Sequence, residues 1–265
     1  ALAARVIQQV GFEAVYLSGA GITNTFYGIP DLGFIGLSDL AQHTAAVRDA
    51  VDLPIIVDAD TGFGNALNVR QSVRTLERSG ANAIQLEDQL MPKKCGHFSG
   101  KQVITTQEMI SKVKAAVDAR DSEDFLIIAR TDARTSLGLD EALRRGEAYA
   151  KAGADILFIE SPESEEEMRQ IGRSFDVPLL ANMVERGRTP VLSRAELESI
   201  GYKLAIFPVT ALLAGVHAMQ RVYQEFQAQG SSSKGTTELY DFADLTKLMG
   251  FEDIWEFEKR YAEPQ

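Results

Sequence analysis

Three carboxylates carry the densest chemical signal in this sequence. Asp58 and Asp60 sit two apart in VDADTGFG, and Glu87 closes the apolar run AIQLE. Residues i and i+2 of an extended strand point to one face, so Asp58 and Asp60 are expected to address a single point, with Glu87 beside them. Like charges gathered so closely repel, and a proton or a cation must relieve them. An all-oxygen donor set suits Mg2+ or Mn2+ better than zinc. The competing reading is a set of solvated loop acids that only cap the next helices, as Asp60 with Thr61 and Gly62 would do.

The second signal is the loop LMPKKCGHFSGKQVI, which follows the Glu87 run. Lys93, Lys94 and His97 surround Cys95, the one cysteine of the chain. Cationic neighbours lower a thiol pKa and make it a better proton donor or nucleophile near neutrality. A single cysteine is more commonly a small buried hydrophobe, but this one stands in a polar, glycine-containing loop. One cysteine excludes an internal disulfide and a cysteine-rich zinc module, and it is compatible with a reducing, cytoplasmic setting. His43 and His217 fall in helical stretches and read as structural.

These residues need elements to position them. A helix–glycine–strand junction recurs in QQVGFEAVYLSG, ERSGANAIQLED, AKAGADILFIES and ESIGYKLAIFPV, at Gly11, Gly80, Gly153 and Gly201. Glycine just past a helix suits the left-handed cap. Pro54 and Pro178 open two further runs, and DFLIIARTDA supplies a seventh. The runs are short, almost continuously apolar and rich in Ile, Val and Leu, as strands of a parallel sheet buried on both faces are. Amphipathic helices separate them. Within 105–120, Met109, Ile110, Val113, Ala116 and Val117 share one face, and Thr105 with Glu108 and Ser193 with Glu196 fit the capping-box pattern.

Each run ends on a polar or special residue: Tyr16, Ser18 and Gly19; Asp58 and Asp60; Glu87 and Asp88; Arg130 to Asp132; Glu160 and Ser161; Asn182; Pro208 and Thr210. Parallel barrels build their active sites at the carboxyl ends of the strands. The fold class expected is therefore α/β, a (β/α)8 TIM-type barrel, with an open doubly wound sheet as the alternative. A closed barrel needs eight strands, and the opening ALAARVIQQV reads as a helix that follows strand one, so strand one is expected upstream of Ala1. The barrel is assigned to 1–229. Residues 230–265 form a second unit, a QGSSSKGTT linker and a helical tail. Phe242, Leu245, Leu248, Met249, Ile254, Trp255 and Phe257 of that tail are expected to pack on the barrel or on a partner subunit.

Composition limits the partners. Of 265 residues 45% are hydrophobic and 25% charged, which is ordinary globular usage. The net charge of −11 argues against a sequence-independent grip on nucleic acid. The longest apolar stretch, 204–216, contains Pro208 and Thr210 and is shorter than the ~18 residues a membrane span needs. No secretory leader is read at the start.

Taken together, SGAG at 18–21, VDADTGFG at 57–64, IQLEDQ at 84–89, KKCGH at 93–97, ARTDA at 129–133 and NMVE at 182–185 resemble the isocitrate lyase / phosphoenolpyruvate mutase superfamily. The KKCGH loop resembles its carbon–carbon lyase branch, and also occurs in carboxyphosphonoenolpyruvate phosphonomutase-like chains. The resemblance implies a barrel whose last helices swap between subunits of a homotetramer built as a dimer of dimers. It implies that Asp58, Asp60 and Glu87 hold Mg2+, with Asp31 supporting them. Ser18, Gly19 and Ala20 would hold a substrate carboxylate, and Gly96, Arg130, Glu160 and Asn182 match further substrate-binding positions. Cys95 matches the catalytic acid, with Lys93 and His97 on the same mobile loop.

Three positions depart from the 2-methylisocitrate lyase pattern: Ala20 stands for glycine, Gln85 for histidine, and Val184 for a hydroxyl residue. Losing that hydroxyl implies a smaller, more apolar substrate than a tricarboxylate. NMVE followed by Gly187, Thr189 and Pro190 is similar to the dimethylmalate lyase group. The implied reaction is the Mg2+-dependent cleavage of a 2-hydroxy dicarboxylate, a methylated malate or methylisocitrate, into a 2-oxo acid and a second carboxylic acid. Arg130 would clamp a carboxylate in a bidentate fork, and Cys95 would protonate the departing carbanion. Tyr16 is one candidate base, and a hydroxide held by the metal is another. Phosphonomutase chemistry and hydrolysis or decarboxylation of oxaloacetate are the alternatives.

Overall fold

The structure is a computed structural model that describes residues 1–94, 96 and 100–262. Seven strands follow in chain order: β1 (Val15–Leu17), β2 (Ile55–Asp58), β3 (Ala83–Glu87), β4 (Leu126–Thr131), β5 (Ile156–Ile159), β6 (Leu180–Asn182) and β7 (Leu204–Ile206). The helices are α1 (Leu2–Val10), α2 (Gly19–Ile22), α3 (Leu37–Arg48), α4 (Ala66–Arg78), α5 (Thr106–Ala119), α6 (Ala133–Leu137), α7 (Leu139–Lys151), α8 (Glu165–Ser174), α9 (Arg194–Ile200), α10 (Thr210–Gln229), α11 (Phe242–Leu248) and α12 (Phe251–Tyr261). Gly11, Gly80, Gly153 and Gly201 take φ of 91°, 98°, 106° and 115°. That left-handed turn is cheap only without a Cβ, so each glycine stops a helix and releases the chain into the next strand.

Strands β1 to β5 pair in parallel, each with its successor in sequence, and β6 pairs in parallel with β7. The two groups are joined where Leu157 bridges Leu179 in parallel and the Leu157 N–H donates to the Pro178 carbonyl at 3.0 Å. Neighbours in space that are successors in sequence are the order of a barrel, not of a doubly wound sheet. Seven of the eight staves are in place. Among the described residues β1 and β7 are the edges, and no eighth strand lies between them.

Alternation along the strands sorts side chains into two clusters. Val57, Ile84, Leu86, Ile127, Ala129, Leu157 and Ile159 face the helices. Residues of opposite parity, among them Ile56, Ala83, Ile128, Phe158 and Leu180, fill the inner face. On α5, Met109, Val113 and Ala116 are buried as the periodicity requires, and Lys112 is buried with them. Ser193 and Glu196 form a reciprocal capping box. At α5 only half of the box exists, with Thr105 accepting from the Glu108 N–H at 3.2 Å.

The segment after α10 is less free than its composition implies. The Glu225 carboxylate accepts from the Thr236 N–H at 3.0 Å, the Thr236 hydroxyl at 2.7 Å and the Thr237 N–H at 3.1 Å, which ties the segment back onto α10. Helices α10, α11 and α12 bury no residue within the single chain. Leu213, Val216, Met219 and Phe226 on α10, and Ile254, Trp255 and Phe257 on α12, stand exposed. No helix among the described residues is long and apolar enough to cross a membrane.

Candidate active site

The inner face turns polar at the last inward position of each strand. Asp58 lies two residues beyond Ile56, Glu87 four beyond Ala83, Arg130 two beyond Ile128, and Asn182 two beyond Leu180. Register aligns them, because Asp58 pairs with Gln85 and Glu87 with Arg130 on adjacent strands. One parity therefore provides both the apolar plug and the polar mouth above it.

Ligand oxygens of Asp58, Asp60 and Glu87 all lie within 4.8 Å of one another, and the three side chains are buried. The route to convergence differs from strand alternation. Asp60 lies past the end of β2 with φ of 47°, and its N–H donates to Asp58 Oδ1 at 3.2 Å. A left-handed turn, not a pleat, brings the two acids together. Glu87 Oε1 is buried without a hydrogen-bond partner among the described residues, and an orphaned buried carboxylate oxygen is costly unless it is protonated or ligates a cation. At Gly19 a Cβ would stand 3.6 Å from Asp60 Oδ1 and 3.8 Å from Asp58 Oδ2, so the start of α2 lies directly beside the acids. A clustered all-oxygen set with an orphaned buried oxygen fits a divalent cation.

The same crowding moves the acids' protonation. Burial, then the Asp58 charge, raises the Asp60 carboxyl to about 7. Burial also holds Glu87 well above the usual carboxylate range, against the pull of Arg130. Lys93 reaches into this cluster, its Nζ 2.7 Å from both Asp31 Oδ1 and Asp60 Oδ1. Burial works to lower Lys93, but Asp60, Asp58, Glu87 and Asp31 outweigh it and keep the ammonium charged. Lys93 and Asp31 thus belong to the acid cluster itself, joined across 62 positions of the same chain.

Arg130 is pinned on several sides. Its Nε and Nη2 donate to Asp132 at 2.9 and 3.0 Å, and its Nη1 lies 3.2 Å from Glu87 Oε2. Its guanidinium stands 5.1 Å over the Phe158 ring. The fork expected to face a substrate carboxylate is engaged by Asp132, a residue given no role from sequence although it sits two positions on in ARTDA. Tyr16 donates to Gln85 Oε1 at 2.5 Å, and Gln85 Nε2 donates to Asp58 Oδ1 at 3.1 Å. Burial, then Asp58, raises the Tyr16 hydroxyl well above its ordinary value, so at neutral pH it is a proton donor and not a base.

The remaining described candidates gather at the same mouth. Ser18 Oγ accepts from the Gly21 N–H at 3.2 Å at the start of α2, and Gly19 and Ala20 follow it. Asn182 Nδ2 donates to Glu160 Oε2 at 3.2 Å. Gly96 lies against Arg130 and Glu160, where an added Cβ would meet Arg130 Nη2 at 2.5 Å and Glu160 Cδ at 2.7 Å. Cys95 and His97 lie outside the described residues. His43 packs edge-on to Phe26 at 5.0 Å and His217 lies within α10, so neither joins the cluster.

With this geometry in hand, comparison with known proteins is decisive. A family model described as phosphoenolpyruvate phosphomutase matches residues 1–227. The chain belongs to this family. It is 47% identical over 262 residues to the 2,3-dimethylmalate lyase of Eubacterium barkeri, covering 99% of this chain and 91% of that one. It is 48% identical over 260 residues to the 2-methylisocitrate lyase of Aeropyrum pernix, covering 98% and 82%. The solved structure of a 2,3-dimethylmalate lyase, described as a PEP mutase/isocitrate lyase superfamily member, superposes with a TM-score of 0.93 at 34% identity, covering 98% of this chain and 87% of that one. The family and its (β/α)8-type fold agree with the order of strands seen here.

Proposed function

We propose that the protein is a divalent-metal-dependent carbon–carbon lyase that cleaves an alkylated 2-hydroxy dicarboxylate, a methylated malate above all, into a 2-oxo acid and a second carboxylic acid. The observation that carries this reading is the buried Asp58–Asp60–Glu87 cluster, with Gly19 beside it and Arg130 flanking it, in a chain nearly half identical to two lyases. Asp58, Asp60 and Glu87 are the residues that would hold the cation, Mg2+ or Mn2+ by the hardness of their oxygens. Bound there, the cation supplies Lewis-acid polarisation of the substrate's 2-oxygen.

The chain's own groups do the rest. Ser18 Oγ accepts one hydrogen bond from the Gly21 N–H, which leaves its own proton to donate to a substrate carboxylate alongside the Gly19 and Ala20 backbone. Asn182 and Glu160, joined by their own hydrogen bond, shape the far side of the pocket. Arg130 keeps positive charge at the mouth, and its pinning by Asp132 and Glu87 fixes where that charge stands. Lys93 offsets the acids' repulsion until the cation and substrate arrive. The 2-hydroxyl passes its proton to a water molecule at the mouth, the new C2–O π bond forms as the C2–C3 bond breaks, and that bond's electron pair moves onto C3, leaving a carbanion stabilised by its adjacent carboxylate. Cys95 delivers the proton that quenches this carbanion. Val184, two residues past Asn182, offers an apolar wall, which favours an alkyl substituent over a third carboxylate. The exposed apolar faces of α10 and α12 suit burial against further copies of the chain.

A panel of 2,3-dimethylmalate, 2-methylisocitrate, oxaloacetate and phosphonopyruvate, assayed with Mg2+ and with EDTA, tests the proposal. The expected result is metal-dependent release of a 2-oxo acid, fastest from the alkylated malate. Rapid oxalate release from oxaloacetate, or turnover of phosphonopyruvate, with no cleavage of the alkylated malate sinks it.

A further inference from the structure

Outside the acid cluster, several buried cations have no role in the reaction as described above, and among the described residues Lys101 is the one of these bonded to Asp132. The Lys101 side chain is fully buried, and its ammonium lies 2.8 Å from Asp132 Oδ1, on the carboxylate that also binds Arg130. Its other partner is the Gly96 carbonyl. The Ser161 hydroxyl donates to the same carbonyl at 3.0 Å, from a backbone held at φ of 59°, a conformation that costs a non-glycine residue strain and persists only where its surroundings hold it. Both lone pairs of the Gly96 oxygen are therefore filled by side chains rooted beside the site. The backbone they hold presses on Arg130 and Glu160 with no room for a methyl group.

The base of this segment is anchored separately. Gln89 bridges Val103 in antiparallel fashion, and its side chain exchanges bonds with the Lys94 N–H at 2.9 Å and the Lys94 carbonyl at 2.8 Å. Lys101 is thus not needed to form the turn. Its buried charge serves one contact that the base does not supply, at Gly96.

We infer that Lys101, oriented by Asp132 and assisted by Ser161, is a positioning residue that seats the Gly96 backbone against Arg130 and Glu160 for the reaction. Ser161 has one proton for two acceptors, Gly96 O and Glu160 Oε1, the latter at 2.8 Å. Seating at Gly96 and the orientation of Glu160 are therefore linked. The kinetic part of this inference rests on the lyase reading, whereas the structural part does not.

Cys95 is the single cysteine of the chain and the covalent neighbour of Gly96, so its alkylation by iodoacetamide in the Mn2+-loaded protein serves as the probe of seating, without substrate. Losing a hydrogen bond to a charged donor predicts alkylation about tenfold faster in Lys101→Met, and losing a neutral one about fivefold faster in Ser161→Ala. With an alkylated malate, kcat falls about 10²-fold in Lys101→Met with little change in KM, and Mn2+ affinity stays within about twofold because the acids are untouched. A merely structural Lys101 would lower the melting temperature and leave the alkylation of folded protein unchanged, and that result overturns the inference. Should Lys101→Met fail to fold, the Ser161→Ala alkylation rate decides by the same criterion. If no substrate in the panel is cleaved but the thiol reacts faster, the lyase reading fails and the positioning role stands.

Discussion

Replacing Gly96 by alanine isolates the contact between loop and site. A Cβ there would lie 2.5 Å from Arg130 Nη2, 2.7 Å from Glu160 Cδ and 2.8 Å from Glu160 Cγ. Ordinary contacts start near ~3.5 Å, so something must yield by about 1 Å. Arg130 cannot yield cheaply, because Asp132 takes two of its nitrogens, Glu87 a third, and Phe158 lies beneath it. Glu160 is held by Asn182 and Ser161. The backbone at residue 96 is the part that moves, and it gives up both bonds to its carbonyl. Misplacing a catalytic segment by about 1 Å costs on the order of 10²-fold in rate, which is about 2.7 kcal/mol of barrier. Losing both bonds to its carbonyl costs about 1–3 kcal/mol, so the melting temperature should fall by about 2–10 °C while the protein stays folded at the assay temperature. The assay is steady-state 2-oxo acid release from an alkylated malate, paired with scanning calorimetry. A Gly96→Ala enzyme that keeps kcat within about threefold of the parent would refute the argument that the seated backbone is required.

Three further outcomes follow from the same geometry. Cys95→Ser is expected to retain fold and metal affinity while losing about 10²-fold or more in turnover, and an unchanged rate removes the thiol from the reaction. In chelator-treated protein the Asp60 carboxyl titrates at about 7 against an ordinary 3.8. The raised value favours the protonated folded state, so this contribution is full below about pH 4 and is lost as pH rises through about 7, by about 2–4 kcal/mol. Thermal melts from pH 5 to 8 should fall without metal, flatten with saturating Mg2+, and fall less steeply in Asp60→Asn, where the raised Glu87 remains, and a metal-free melt that rises with pH contradicts the sign. The proposed burial of α10 against further copies of the chain predicts that the parent sediments as an oligomer and that Val216→Glu sediments as a smaller species with little loss of helicity, and a parent protein that sediments as a monomer dismisses that face as an interface.

The parts of the fold legible in the sequence were those set by local chemistry. Gly11, Gly80, Gly153 and Gly201 mark helix stops because only glycine turns left-handed there without cost, and the uninterrupted apolar runs mark strands buried on both faces. The identity of the three acids was equally readable. Their geometry was not, since Asp60 reaches Asp58 by a left-handed turn that a period-two reading cannot contain. Ion pairs distant along the chain were invisible for a different reason. Lys93 meets Asp31 across 62 positions, and nothing in either neighbourhood specifies the partner. Lys101 looks like a solvated loop lysine beside Gly100, and only packing against the end of β4 makes it a buried cation. Asp132 was adjacent and visible, yet a fork assigned in advance to a ligand left no place for it.

The central claim is that Asp58, Asp60 and Glu87 hold one divalent cation per chain. Electron paramagnetic resonance of Mn2+ titrated into chelator-treated protein measures this directly, because the sharp signal of free Mn2+ is lost on binding. The account predicts saturation at one Mn2+ per chain, displaced by Mg2+, with affinity lowered about tenfold or more in Glu87→Gln. An undiminished free-Mn2+ signal at millimolar protein, or equal uptake by parent and Glu87→Gln, contradicts it.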